Sequence, residues 1–317
     1  MTILKPHSLI DYAKDMKAYY TDIFVLPLPP GHRFPMVKYK LLRERLISSG
    51  VMEPDDLIVP EAATDEDILR CHTPEYLHKL MTGTLSRKEE VRIGFPWTLE
   101  MVERSRRSSG ATIRAAISAL TEGTSANLAG GTHHAGRDFG AGFSVFCDAA
   151  IAARALQHRG LVEKVLVIDC DVHQGNGTAD VCRDDPTIFT FSLHGERNFP
   201  FRKINGDLDI GLVEGTGDAD YLSTLETALE RVLSVFDPDL AIYQSGADPF
   251  VDDKLGKLAL SKAGLAKRDR LVLSMLRNED IPVAVTMGGG YAQNVDDVVD
   301  IHFETIRIAK SFCSVMA

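Results

Sequence analysis

The segment from Val165 to Gly177 constrains the fold more than any other part of the chain. It opens as an unbroken apolar run, Val165-Leu166-Val167-Ile168. Such a run reads as a strand buried on both faces, which is the habit of parallel sheets covered by helices. It then changes to Asp169, Asp171 and His173 at every second position. Residues two apart in an extended chain point to one side, so these groups converge at the strand's end. Carboxylate and imidazole together are what a divalent transition metal takes as ligands. Gly175 and Gly177 follow, and they let the backbone turn tightly beside the site.

The rest of the chain alternates strand and helix signals. Pro35 to Ser49 reads as a helix, Thr64 caps a short one over Asp65–Arg70, and Thr73-Pro74-Glu75 starts another. The apolar side of that third helix is Tyr76, Leu77, Leu80 and Met81. Residues 19–35 and 83–97 read as loops. Thr98 caps a long helix through Leu120, whose Arg104, Arg106 and Arg107 read as a solvated or ion-paired face. A short strand runs into Gly130-Gly131-Thr132-His133-His134, and Asp148 caps an alanine-rich helix to His158. Thr187–Leu193 is strand-like, and 195–217 reads as a long loop. The clearest helix is 218–236, with an apolar stripe from Tyr221 to Phe236. Strands follow at Leu240–Tyr243 and Pro282–Thr286, with a helix capped by Ser261 between them and one opened by Asn294 after them. This order predicts an α/β fold: an open, mostly parallel sheet with helices on both faces. No internal repeat or linker divides it, so residues 1–317 read as one catalytic domain.

Charge narrows the function. The net charge is -10 and no basic block occurs, which argues against direct nucleic-acid binding. The same balance is compatible with cationic protein substrates. The odd count of five cysteines, with no C-x-x-C pair, reads as reduced thiols in a cytoplasmic setting. The first residues, Met1 to Pro6, lack the apolar core of a signal peptide. No apolar run approaches a membrane span.

Four strand ends carry the chemistry. Ligands in open α/β sheets bind beyond the carboxyl ends of the strands. Those ends deliver His133 and His134, then Asp169, Asp171 and His173, then Asp248, then Tyr291. Each has a plain reading as polar loop, helix cap or glycine turn, but their coincidence at strand ends predicts one crevice. His78, His158 and His302 fall in helical patterns and are assigned to structure. Asp171, His173 and Asp248 form a three-ligand set with an open position, the mark of a catalytic zinc. A histidine pair can take a proton from water and return one to a leaving amine. A tyrosine hydroxyl can stabilise a developing oxyanion. The reaction class is metal-assisted amide hydrolysis.

These residues resemble the zinc-dependent histone deacetylases of the arginase–deacetylase superfamily. The resemblance rests on Gly130-Gly-Thr-His-His134, Gly142-Phe-Ser-Val-Phe-Cys-Asp148, Asp169-Cys-Asp-Val-His-Gln-Gly-Asn-Gly177, Phe191-Ser-Leu-His194, Ser245-Gly-Ala-Asp248 and Gly288-Gly-Gly-Tyr291. It covers nearly the whole chain. The His-Gln-Gly-Asn-Gly form and Leu255 are most similar to class IV and its bacterial relatives. The resemblance implies a sheet of about eight strands, with zinc, or ferrous iron, on Asp171, His173 and Asp248. It implies His133 and His134 as the acid–base pair, His134 favoured as base, and Tyr291 polarising the acyl carbonyl. Gly142 and Phe143 would line an acyl-lysine tunnel, with Phe199 or Phe201 as the second wall. Potassium would bind Asp169, Asp171, His173, Ser192 and Leu193.

Two departures stand out. Many relatives have a second buried Asp where this chain has Asn176, which cannot raise its partner histidine's pKa by charge. Arg33 is the candidate for the arginine that some relatives keep in an internal product channel. Competing substrates are acyl-lysine in proteins and small acetylated amines such as acetylpolyamines. A Glu in place of Leu255 would favour the amine, and leucine is neutral. A binuclear manganese site needs an acidic residue where Gly175 stands. An inactive scaffold would be expected to lack a ligand or the tyrosine, and none is missing.

Overall fold

The computed structural model describes residues 16–313. The segment Met1–Pro6, read above for a leader, lies outside the described residues. The strands are β1 (Ala18–Tyr19), β2 (Leu57–Ile58), β3 (Thr124–Asn127), β4 (Val165–Asp169), β5 (Ile188–Gly195), β6 (Leu208–Leu212), β7 (Leu240–Gln244) and β8 (Val283–Thr286). They form an eight-stranded sheet in the order β2-β1-β3-β8-β7-β4-β5-β6. Every pairing is parallel.

Sequence explains the middle of that order. Val165, Leu166, Val167 and Ile168 of β4 are each at most 1% exposed, and β7 beside it is buried throughout. Burying each such side chain stabilises by roughly 1.5–3 kcal/mol, so these strands take the centre. The site-bearing strands β3, β8, β7 and β4 lie side by side. Their carboxyl ends therefore open onto a single crevice.

Helices cover the sheet in two layers. One contains α5 (Leu99–Glu122), α6 (Asp148–His158) and α7 (Asn176–Cys182), with α2 (Asp65–Leu69) and α3 (Pro74–Thr82) against it. The other runs α1 (Lys38–Ser48), α10 (Val295–Ser311), α9 (Lys262–Asn278) and α8 (Asp218–Val235). Thr64, Thr73, Thr98, Ser261 and Asn294 each accept a backbone N–H at a helix start, as expected of capping side chains.

Several expectations fail. Residues 83–97 contain α4 (Arg87–Ile93), begun by a capping box in which Ser86 and Glu89 bond reciprocally. The long loop at 195–217 contains edge strand β6. The first helix starts at Lys38 rather than Pro35, and Met81 is 41% exposed instead of packed. Arg106 and Arg107 pair with Asp65 and Glu103, but Arg104 is buried. Its Nε donates to the Phe24 carbonyl, and its guanidinium lies over the Tyr39 and Phe95 rings. Aromatic faces and a carbonyl replace the water that a charged helix face would need.

Candidate active site

The loop after β3 carries the paired histidines, and Asp148 holds it in place. The Asp148 carboxylate accepts from Gly131 N at 3.0 Å, Thr132 N at 2.8 Å, and the Thr132 and Thr112 hydroxyls at 2.7 and 2.6 Å. It sits in the first turn of α6 but spends its oxygens on the histidine loop, not on its own helix. His72 supports the loop from behind. Its Nδ1 lies 2.9 Å from the Gly136 carbonyl, and its Nε2 accepts from Cys147 N at 3.0 Å.

His133 and His134 are buried, with ring centroids 4.0 Å apart. His133 Nδ1 meets Asp169 Oδ2 at 2.6 Å, and His134 Nδ1 meets Asn176 Oδ1 at 2.7 Å. A carboxylate or carbonyl oxygen only accepts, so each Nδ1 carries a proton. The partners differ in charge and so do the outcomes. Burial opposes a proton on His133, but Asp169 and Asp171 outweigh it and raise the group to about 9. His134 is held well below its usual value by burial and then by the charges of His133 and His173.

The ends of β4 and β7 bring Asp171, His173 and Asp248 together. One donor atom from each lies within 4.8 Å of the others. His173 Nδ1 is 2.9 Å from Asp171 Oδ1 and 3.1 Å from Asp248 Oδ2. Both aspartates are essentially inaccessible. Burial, then the Asp171 charge, pushes Asp248 up to about 7. Two buried carboxylates against one imidazole are short of positive charge, and burying them unpaired is costly. The donor set fits a divalent transition ion.

Backbone anchors aim these ligands. Asp171 Oδ2 accepts from Gly289 N at 2.7 Å, and Asp248 Oδ1 from Val172 N at 2.9 Å. From below, the buried Arg268 donates to the carbonyls of Gly246 (2.6 Å), Cys170 and Ser245 (3.3 Å each). It thereby ties the β4 and β7 loops together. Asp269 pairs with it and accepts from the Tyr243 and Thr305 hydroxyls. The glycines here serve close approach. A Cβ at Gly175 would collide with the Asp169 carboxylate, and one at Gly289 with that of Asp248. Gly175 also centres the tight turn expected there: its φ of -72° and ψ of 57° form an inverse γ-turn closed by Asn176 N donating to the Gln174 carbonyl at 2.8 Å. It precedes α7, which the sequence pattern did not suggest.

Tyr291 stands on the opposite wall, its ring 6.4 Å from that of His173. Asp253 accepts its backbone N–H at 2.6 Å and those of Leu255 and Gly256 at 2.8 Å, which sets this loop. Burial, then the Asp248 and Asp171 charges, holds the phenol well above its usual pKa, so it keeps its proton as a donor. Lys38, buried beneath, donates to the Gly288 carbonyl at 3.2 Å.

Above these groups opens a cavity of about 1370 Å³. Its throat is aromatic: Phe143 packs on Phe34 and Phe95 at 5.1 and 5.3 Å, and on Tyr291 at 5.9 Å. Gly142 and Phe143 both have positive φ, and a Gly142 Cβ would meet the His134 ring at 2.5 Å. Of the two loop phenylalanines, Phe199 lies edge-on to His134 at 4.9 Å, while Phe201 is 91% exposed. Leu255 also lines the cavity. Arg33 lies over the outer Phe143 ring at 5.9 Å, and the buried arginine of the cavity wall is Arg104. Asp169 and Ser192 face each other in register on β4 and β5. His78 and His158 are exposed on helices and His302 is buried, all away from the cavity lining.

A model of the histone deacetylase domain matches residues 32–306. The chain belongs to the histone deacetylase family. It is 46% identical over 292 residues to an uncharacterized protein of Picosynechococcus sp., covering 92% of this chain and 97% of that one. It is 30% identical over 295 residues to histone deacetylase 2 of Arabidopsis thaliana, covering 90% and 76%. The crystal structure of an HDAC homologue from Aquifex aeolicus matches with a TM-score of 0.80 at 25% identity, over 94% of this chain and 84% of that one. The fold expected from the sequence, a parallel sheet between helices, is that of these deacetylases. Family membership implies hydrolase activity, since removal of an acyl group from an amide is a hydrolysis.

Proposed function

We propose that this protein is a metal-dependent hydrolase that removes acyl groups from lysine side chains, with residues 1–317 acting as one catalytic domain. The observation that carries the reading is the convergence of Asp171, His173 and Asp248 beside a histidine pair and a tyrosine at the foot of an aromatic throat. A zinc or ferrous ion on those three ligands would supply a Lewis acid and bring a water's pKa to about 7. The aromatic throat, Phe143 and Phe199 in particular, admits the uncharged lysine stem and its amide and excludes bulk water. His134, neutral and with its Nε2 lone pair free, takes the proton from the attacking water. His133, whose Nδ1 proton is held by the Asp169 carboxylate, returns a proton to the leaving amine. Opposed proton affinities in adjacent groups are the usual sign of such a division. The Tyr291 hydroxyl donates to the acyl oxygen as charge builds there. The carbon–nitrogen bond breaks, giving a carboxylate and a free lysine.

Asp169, Asp171, His173, Ser192 and Leu193 would hold potassium on the strand ends behind the site. Cys71, Cys147, Cys170 and Cys182, buried and in no disulfide, support a cytoplasmic setting, and no helix of the described residues is long and apolar enough to cross a membrane. Acetylpolyamines fit less well, because the neutral Leu255 supplies no carboxylate for a cationic amine and the cavity mouth is itself cationic. The test is hydrolysis of acyl-lysine peptides against acetylpolyamines by the metal-loaded protein. Faster turnover of the polyamines would refute the lysine reading.

A further inference from the structure

The mouth of the cavity has the opposite sign to the chain. The protein carries a net charge of -10. Yet Arg33, Arg92, Arg183, Arg197, Arg202 and Lys257, all exposed, line the cavity. Among the described residues, the one acidic side chain in that lining is Asp171, at the floor. The cations come from several loops and from α4, and they share one cavity. Arg33 and Arg92 flank Phe143, since Arg33 lies over its ring and the Arg92 carbonyl accepts from Gly142 N. Arg197 and Arg202 bracket Phe199 on the facing wall. Lys257 stands beside Leu255, and Arg183 follows α7.

Most of this charge has no internal partner. Arg183 pairs with Asp180 at 3.4 Å and Lys257 with Glu214 at 3.7 Å. Arg33, Arg92, Arg197 and Arg202 take part in no ion pair among the described residues; Arg92 only stacks on Phe139, at 3.7 Å. Elsewhere on this surface arginines do find acids, as Arg107 does with Glu103 and Arg307 with Glu304. Like charges gathered without counter-charges repel, so the arrangement costs stability unless an anion relieves it. These charges are exposed while the throat's Phe34, Phe95 and Tyr291 are buried, so they meet what flanks an inserted side chain.

We propose that the arginine ring selects acyl-lysines flanked by acidic side chains, so that the preferred substrate is an acidic acyl-lysine peptide segment. The inference rests on the lysine-deacylase reading above. Each guanidinium can grip a carboxylate in two-point fashion, and several such contacts around one throat orient the peptide. A cationic histone-tail sequence or a polyamine meets repulsion at the same place.

The experiment uses three matched peptides, each with one central acetyl-lysine, flanked by Asp and Glu, by Gln and Ser, or by Lys and Arg. The metal-loaded enzyme should favour the acidic over the neutral peptide by about tenfold in kcat/KM at low salt, and disfavour the basic one similarly. The preference should shrink toward unity at 0.5 M salt, where screening acts over only a few ångströms. In the Arg197→Glu/Arg202→Glu double variant the acidic-to-neutral ratio should collapse or invert. That ratio is an internal control for folding. Equal turnover of all three peptides, or a preference that salt and the double variant leave intact, overturns the arginine ring while the deacylase reading stands. If no peptide is hydrolysed although a hydroxamate still binds, the deacylase reading falls and the proposal with it. Tighter binding of a single-stranded oligonucleotide than of the acidic peptide assigns the ring to nucleic acid and also overturns it.

Discussion

The floor and the mouth of this cavity are built on opposite terms. On the floor, Asp169, Asp171, His173 and Asp248 are buried, and each is held by named backbone or side-chain partners. Around the mouth, Arg33, Arg197 and Arg202 are exposed and take part in no ion pair among the described residues. The floor is acidic and short of a cation; the mouth is basic and short of an anion. A rigid, satisfied scaffold suits bond-making, where small displacements are costly. Exposed long side chains suit recognition, where each contact is weak and screened by salt. The comparison predicts that floor changes cut kcat on every substrate, while mouth changes act according to the substrate's charge.

The largest expected effect is on the floor. His134→Ala should lower kcat by about 10³-fold or more on acidic, neutral and basic peptides alike, with metal content retained. A loss confined to one peptide would break the division between floor and mouth. Tyr291→Phe removes only a hydroxyl, and its kcat should fall about 10²-fold with little change in denaturation midpoint. Near-normal turnover would remove Tyr291 from the chemistry.

The smallest effect sharpens the claim that the floor is propped from behind. Burial lowers His72 to about 4, because its Nε2 must stay free to accept from Cys147 N. In the unfolded chain the same imidazole titrates near 6.5. The unfolded state therefore binds more protons between those values, and stability rises with pH across that window. It is fully present above about pH 6.5 and lower by about 2 kcal/mol at pH 5. Denaturant midpoints at pH 7 and pH 5 measure the drop. In His72→Gln the drop should lessen; an unchanged drop would place the sensitive group elsewhere.

The same contrast explains what the sequence made legible. The floor could be read because its groups sit in short runs at strand ends, such as Asp169-Cys170-Asp171-Val172-His173, where spacing alone implies direction. The central strands could be read because their apolar runs are long enough to stand out. Strands β1 and β2 have two residues each and carry no period. β6 is a half-exposed edge strand whose Asp209 and Gly211 look like a loop. α7 is buried on nearly all sides, so it shows no amphipathic stripe. Only α4 had an unread signal, the Ser86–Glu89 capping box. Arg104 and Asp148 were misread because a residue's type does not say what faces it. The arginines at the mouth come from separate loops and from α4, and no local pattern joins residues as distant as Arg33 and Arg202.

The central claim is that Asp171, His173 and Asp248 share one divalent ion that amide hydrolysis requires. The direct measurement is titration of the chelator-stripped protein with zinc, following bound metal and acetyl-lysine peptide hydrolysis together. The account predicts that one equivalent binds, that hydrolysis returns in step with it, and that Asp248→Ala abolishes both. Hydrolysis that persists in the stripped protein, or tight zinc binding undiminished in Asp248→Ala, would contradict it.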